Sequence, residues 1–307
     1  MPPTRPPALH RGDRVALVAP AGPVSRRALS QARAALRALG LTVETIGEPS
    51  ARLRYLAGPD EARAQALHEA FADPGVRGIF SLRGGYGTTR LLPLLDIDLI
   101  RANPTVFVGS SDVTALLTVL TQHAGLVAFH GPTATSAFFR EADPTVLERF
   151  WRLVSVPEPL GEIRPAGLRI LRGGRARGRL VGGCLSLVAA TAGTPWQVQA
   201  RGGVFFFEDV DEAPYRIDRM LTQLIQARVL EGVAAVIVGE MVRCPVPRGE
   251  AWSLDDVILD RLGPLEVPIL AGFPAGHGRN EVVLPLGIEV EVDAEAGRLT
   301  VCEAAVA

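Results

Sequence analysis

The 307-residue chain contains no lysine: all 32 of its basic residues are arginine. That excludes a Schiff-base lysine, a phosphate-loop lysine and a lysine general base. Cysteine is nearly as scarce. Cys184, Cys244 and Cys302 are far apart, odd in number and without C-x-x-C spacing, so neither a disulfide framework nor a zinc ribbon is expected. A reducing compartment suits such a chain. Excess charge is missing too. The 32 basic and 33 acidic side chains leave a net charge of −1, which argues against a nucleic-acid partner, since that class carries a strongly basic face. No apolar run approaches the ~20 residues of a membrane span. Apolar runs such as Val204–Phe207 and Val233–Val238 have the length of buried strands. The amino-terminal MPPTRPPALHRGDR lacks the apolar segment of a secretory signal. These absences predict a cytoplasmic protein with neither membrane nor nucleic-acid partners.

What is present is a well-patterned globular chain, long enough for two domains of about 150 residues each. Arg14–Pro20, Leu41–Ile46, Val76–Leu82, Thr105–Val108 and Leu126–Phe129 read as short strands. Helical periods fall between them. Ser25–Leu39 opens on a Ser N-cap and is closed by Gly40, Asp60–Phe71 carries acids in its first turn, and a third helix runs from Asp112 to His123. Such alternation implies βαβ units and a parallel sheet with helices on both faces. After Thr133 the pattern loosens. A helix at Thr145–Val154 is followed by VPEPLGEIRPAG, whose proline and glycine read as a linker. Beyond it, strand-like runs (Gly202–Phe207, Val233–Val238, Ile288–Val292, Leu299–Cys302) outnumber helices, of which Tyr215–Ala227 and Ser253–Leu262 are the clearest. The expected fold class is α/β: an N-terminal parallel-sheet domain over 1–165 and a smaller mixed α/β domain over 166–307.

In a parallel sheet, ligands bind at the carboxyl ends of the strands, so glycine-rich loops at those ends are where chemistry is sought. Arg83–Gly87 (RGGYG) is one, a tight turn or a loop whose backbone approaches a ligand. It matches neither G-x-G-x-x-G nor the phosphate-loop pattern. Val108–Thr114 (VGSSDVT) can present a serine at a sharp strand-to-helix turn, with the next N–H aimed at a developing oxyanion. The competing reading is a helix N-cap, the commonest use of Ser and Asp there. Phe205–Arg216 (FFFEDVDEAPYR) ends a hydrophobic strand with Glu208, which is expensive to bury without a partner; the competing reading is a strand-end carboxylate that faces water. Gly272–Gly278 (GFPAGHG) sets His277 between glycines in a loop, as a candidate base or simply an exposed loop histidine. Of the other histidines only His130, closing a strand in HGP, rivals it. The fifth segment, Gly178–Pro195, has Gly182 and Gly183 ahead of an apolar helical run.

The order of these segments, and the words around them, resemble the LD-carboxypeptidase family of serine peptidases, which includes the microcin-immunity peptidases. The resemblance runs from GDRVALVAPAGPV through YLAGPDEARAQALHEAFADP, SLRGGYGTTRLLPLLD, VGSSDVTALL, HGP, GRLVGGCLSL, GTPW and FFEDVDEAPYRIDRML to GFPAGHG and LPLG, nearly the whole chain. It implies a catalytic triad of Ser111, Glu208 and His277, and an oxyanion hole from the backbone N–H groups of Gly85 and Asp112. Ser110 stands where the family often has Tyr, and Cys184 where it usually has Asn. A carboxypeptidase must also bind a terminal carboxylate, and without lysine the candidates are free backbone N–H groups or arginine side chains, of which Arg83 and Arg216 are the ones placed for it. The resemblance implies release of the terminal D-Ala from a murein tetrapeptide in cell-wall recycling, with no metal or organic cofactor and as a homodimer. Two other readings remain. One is an immunity-type peptidase acting on peptide–nucleotide conjugates, with Trp196 or Trp252 as platform for the base. The other is a silent muropeptide-binding protein, against which the presence of all three triad residues counts.

Overall fold

Short apolar runs bounded by glycine, proline and charged residues form the strands of the first half: β1 (Arg14–Val18), β2 (Thr42–Thr45), β3 (Val76–Ser81), β4 (Val106–Gly109) and β5 (Ala128–His130). The second half contributes β6 (Pro159–Ile163), β7 (Arg169–Arg172), β8 (Arg175–Cys184), β9 (Val204–Val210), β10 (Ala235–Val242), β11 (Ile269–Ala271), β12 (Leu284–Leu286), β13 (Glu289–Asp293) and β14 (Arg298–Ala304). The computed structural model describes residues 3–307, and they divide into two compact units. Unit 1 holds the described residues through Glu158 together with Arg279–Gly287 and Ala304–Ala307, and unit 2 holds Pro159–Gly278 and Ile288–Glu303.

Unit 1 carries a sheet in the order β12-β5-β4-β3-β1-β2. The pairs β1–β2, β1–β3, β3–β4 and β4–β5 are parallel, as the alternation predicts. The exception is β12, which pairs antiparallel with β5 at the sheet edge. The strand order reverses around β1, so the loops after β1 and β3 leave in opposite directions and open a crevice at the strand ends. The loop after β3 begins at Leu82 and the turn after β4 holds Ser111. Packing beneath is aromatic. Phe80, Phe138, Phe139 and Phe150 meet edge to face with centroids 5.2–6.4 Å apart. Each such pair is worth about 0.5–1.5 kcal/mol beyond its buried area.

Unit 2 carries a sheet in the order β6-β14-β13-β8-β9-β10-β11-β7. Its centre, β8-β9-β10-β11, is parallel, and β13, β14 and β7 join it antiparallel. Val204 to Phe207 of β9 are wholly buried, which suits a central strand covered on both faces. Helix Pro214–Gln226 buries Ile217, Leu221 and Leu224 in the same apolar cluster as Phe205 and Phe207. The architecture is therefore mixed α/β with two mixed sheets.

Three details depart from the sequence pattern. The proline-rich stretch that reads as a linker contains β6, an edge strand, so the first crossing between units falls at Glu158–Pro159 rather than 165–166. The chain also returns twice to unit 1, where a single cut was expected. The helix expected over Asp112–His123 opens as a 3-10 turn (Ser111–Val113), is α-helical over Thr114–Thr118 and widens into a π-helical turn over Val119–His123. Back-bonding by threonine accompanies the change: Thr118 Oγ1 donates to Thr114 O at 3.1 Å and Thr121 Oγ1 to Leu117 O at 2.9 Å.

Candidate active site

In unit 1 the chain turns sharply after β4. Ser110 is extended, and Ser111 then adopts φ +61° in the left-handed region. For a residue with a Cβ that conformation costs roughly 1–2 kcal/mol, and such strain gathers at functional sites. The helix-cap reading fails: Ser110, at the cap position, makes no side-chain bond to the turn that follows. Asp112 is occupied elsewhere, accepting from Thr88 N at 2.8 Å. The RGGYG loop lies directly over the serine. A Cβ on Gly84 would sit 2.7 Å from both Cβ and Oγ of Ser111 and 3.3 Å from Asp112 N, so only glycine lets the backbone come this close. Gly85 follows at φ +111°. His130, the rival histidine, is wholly buried in β5, between Gly109 of β4 and Leu284 of β12.

In unit 2 the carboxylate and the histidine meet. Glu208 of β9 is fully buried, and its Oε2 lies 2.6 Å from His277 Nδ1. The side chain of His277 is 21% exposed. Gly276 makes the contact possible: it has φ +148°, and a Cβ there would stand 2.9 Å from Glu208 Oε2. On the other side of the histidine, Gly278 N donates to Glu240 Oε2 at 2.8 Å. Burial pulls the His277 pKa down, but the hydrogen bond and charge of Glu208, aided by Asp209 and Glu240, outweigh it and leave the pKa above the ordinary histidine value. Glu240 is pushed up by burial and by Glu208, against the Gly278 N–H that favours its charged form.

The two arginines differ. Arg216 is engaged by its own neighbours, with Nε 3.2 Å from Tyr215 Oη and Nη1 3.6 Å from Glu212. Arg83 is exposed, and its Nη1 donates to Pro23 O at 3.3 Å. Trp196 is half-buried, and exposed Trp252 donates from Nε1 to Glu250 at 2.9 Å.

Three charged residues beside these segments were not singled out from the sequence. Asp209 is buried and accepts from Ser186 N and Val210 N, both at 2.8 Å. Glu240 sits at a register shift in β10. Arg63 is 3% exposed and donates to Gly87 O at 3.1 Å. The signal for Asp209 was the second acid of FFED; Arg63 looked like any charged position on a helix.

Known proteins share this arrangement of sequence and fold. Residues 15–131 match the family model of the LD-carboxypeptidase N-terminal domain, and residues 177–292 match that of the LD-carboxypeptidase C-terminal domain. A Bacillus subtilis protein named "Probable murein peptide carboxypeptidase" is 37% identical over 98% of this chain and 95% of its own. The microcin C7 self-immunity protein of Escherichia coli is 29% identical over 81% of this chain and 80% of its own. The crystal structure of muramoyltetrapeptide carboxypeptidase from Oxalobacter formigenes superposes with a TM-score of 0.85 at 31% identity, covering 94% of this chain and 99% of that one.

Proposed function

This chain belongs to the LD-carboxypeptidase family of serine peptidases, and from that premise we propose that it releases the terminal D-Ala of murein tetrapeptides, with Ser111 as nucleophile, His277 as general base and Glu208 as the group that orients it. The observation that carries the reading is the 2.6 Å contact between His277 Nδ1 and a wholly buried Glu208. A carboxylate on Nδ1 fixes the tautomer in which Nε2 is the base, and stabilises the imidazolium once the proton arrives. The strained turn at Ser111 and the glycine backbone over its hydroxyl support the rest.

The reaction then runs in two halves. The Ser111 proton passes to His277 Nε2 as Oγ bonds to the carbonyl carbon of the scissile L-to-D peptide bond. The N–H groups of Gly85 and Asp112 receive the oxyanion, and each such donor is typically worth about 10²–10³ in rate. The C–N bond breaks, the imidazolium protonates the leaving amine, and D-Ala departs. Water, deprotonated by the same ring, hydrolyses the ester and restores Ser111. The terminal carboxylate is assigned to Arg83, because Arg216 already faces Glu212. Arg83→Met is expected to raise KM for the free-acid peptide far more than for its amide; equal effects on the two substrates would remove that assignment. The same reading places the protein in the cytoplasm, acting as a homodimer on peptides recovered from the cell wall. Among the described residues no helix is long and apolar enough to cross a membrane.

The test is mass spectrometry of a tetrapeptide ending in D-Ala after incubation with wild type and Ser111→Ala. Loss of one alanine with wild type alone is the expected result. Equal loss with both would discard Ser111 as nucleophile. The match to the microcin C7 self-immunity protein supports a second reading, hydrolysis of peptide–nucleotide conjugates. No loss from the tetrapeptide, with cleavage of such a conjugate, would select it.

A further inference from the structure

The peptide bond joining Gly87 to Thr88 is held from both ends by buried charges. Its carbonyl accepts from Arg63 Nη1 at 3.1 Å, and its N–H donates to Asp112 Oδ2 at 2.8 Å. Thr88 also donates through its hydroxyl to the backbone oxygen of Asp112. All three side chains are out of solvent: Thr88 is 0%, Asp112 1% and Arg63 3% exposed. Arg63 also donates to Pro20 O, and it pairs with Asp60. Asp60 in turn binds Arg90, Nη2 to Oδ2 at 2.6 Å, so the loop is anchored again three residues after Gly87. The guanidinium abuts the loop so closely that a Cβ on Gly87 would stand 2.7 Å from Arg63 Nη1.

We propose that Arg63 and Asp112 are positioning residues: together they clamp the Gly87–Thr88 peptide and thereby hold the Gly84–Gly85 backbone against Ser111. This rests on the reading of Ser111 as nucleophile and of the Gly85 and Asp112 N–H groups as oxyanion donors. Burying a guanidinium and a carboxylate is expensive, and a helix face needing only to pack is served better by alanine or leucine. What the two charges hold is a single peptide unit, and that unit closes the loop which crosses the serine. The arc from Arg83 to Tyr86 is thus suspended between β3 and the clamp. Asp112 fixes both parts of the site at once, because its backbone N–H is one donor and its side chain sets the loop that carries the other. An oxyanion hole tolerates little displacement; a shift near 1 Å can cost about 10²-fold in rate.

The test compares wild type, Asp112→Ala, Asp112→Asn and Arg63→Met on the tetrapeptide, with thermal melts and amide hydrogen exchange of the 83–90 segment. Asp112→Ala and Arg63→Met are expected to lower kcat by about 10²-fold with KM nearly unchanged. Exchange should quicken in 83–90 but not in β1, β3 or β4. Asn keeps an acceptor for Thr88 N–H, so Asp112→Asn should recover most of kcat. The clamp is overturned if a folded Asp112→Ala or Arg63→Met retains wild-type kcat, if the loss lies in KM alone, or if Asn does no better than Ala. Should Asp112→Ala fail to fold, Arg63→Met and Asp112→Asn decide on the same measures. Ser111→Ala separates the two levels. Full activity there discards the function reading, and the clamp is then judged on exchange; an inactive Ser111→Ala beside fully active clamp variants discards the clamp alone.

Discussion

His277 and Glu208 are joined through Nδ1 and Oε2 at 2.6 Å, and the carboxylate in that pair has no exposure to solvent. The consequence is a titration. Desolvation favours the neutral ring, but Glu208 overrides it, so the folded protein holds the imidazolium proton more tightly than the unfolded chain does. Catalysis needs the neutral ring. The acidic limb of kcat/KM should therefore lie above the ordinary histidine value of about 6.5, with activity falling as pH drops through it. Glu208→Gln removes the main upward pull and leaves the desolvation, opposed only by Asp209 and Glu240, so the limb should move down. The plateau should fall by up to about 10⁴-fold, the loss seen when an orienting acid of a Ser-His-Asp triad becomes an amide. A pH profile of both proteins reads the two effects separately. Stability carries the opposite sign: the contribution of this pair is complete below the unfolded histidine pKa and is lost as pH rises through the folded one. A limb that stays in place in Glu208→Gln would contradict the coupling.

Strain at Ser111 is open to a direct measurement. Ser111→Ala and Ser111→Gly both delete the hydroxyl, and both should be inactive. Only glycine accepts φ +61° without a Cβ penalty, so Ser111→Gly should be the more stable of the two by about 1 kcal/mol. Urea denaturation of the pair checks this, and equal midpoints would mean that the turn is relaxed.

Gly276→Ala should uncouple the histidine from its carboxylate. The new methyl would stand 2.9 Å from Glu208 Oε2 and 3.2 Å from its Cβ, on a backbone at φ +148°. Strain of this kind costs of order 1–3 kcal/mol. The variant should lose activity and show an acidic limb displaced toward that of Glu208→Gln. A wild-type profile would refute the argument.

The three thiols should differ in reactivity. Cys184 and Cys244 are buried, and Cys302 is partly exposed. Burial, reinforced by the charges of Glu208 and Asp209, pushes Cys184 well above the ordinary thiol value; burial also raises Cys244. Thiolate is the reacting species. A disulfide reagent at neutral pH should thus label Cys302 first and reach the other two only on denaturation. Rapid labelling of Cys184 in the native protein would show that its strand end opens.

Much of this was legible in the sequence because the chemistry resides in local words. Glu208 ends a run of three phenylalanines and His277 stands between glycines, so both were marked as candidates, although their burial and their contact were not readable. The parallel pairing of β1 to β5, though not their order, followed from apolar runs separated by helical periods. Other features had no such mark. β12 is three residues long with proline at its centre, and its partner β5 is more than 150 residues earlier in the chain. β6 lies in a segment whose proline and glycine advertise a linker. Arg63 and the side chain of Asp112 were hidden for another reason. Each occupies a position that a helix commonly gives to a charged residue, a first turn or a start, and only tertiary contact shows that both point inward at one peptide bond.

The late return of β12 to β5 has a consequence during synthesis. At about 5–20 residues per second, the ribosome needs roughly 8–30 s to deliver Leu284–Leu286 after β5 has been made. Throughout that interval the flank of β5 that β12 will cover presents bare N–H and C=O groups, the kind of edge on which nascent chains stick to one another. The opposite flank is already satisfied by β4. A polysome carrying this message therefore displays, on every chain that has passed β5 but not β12, the same open strand.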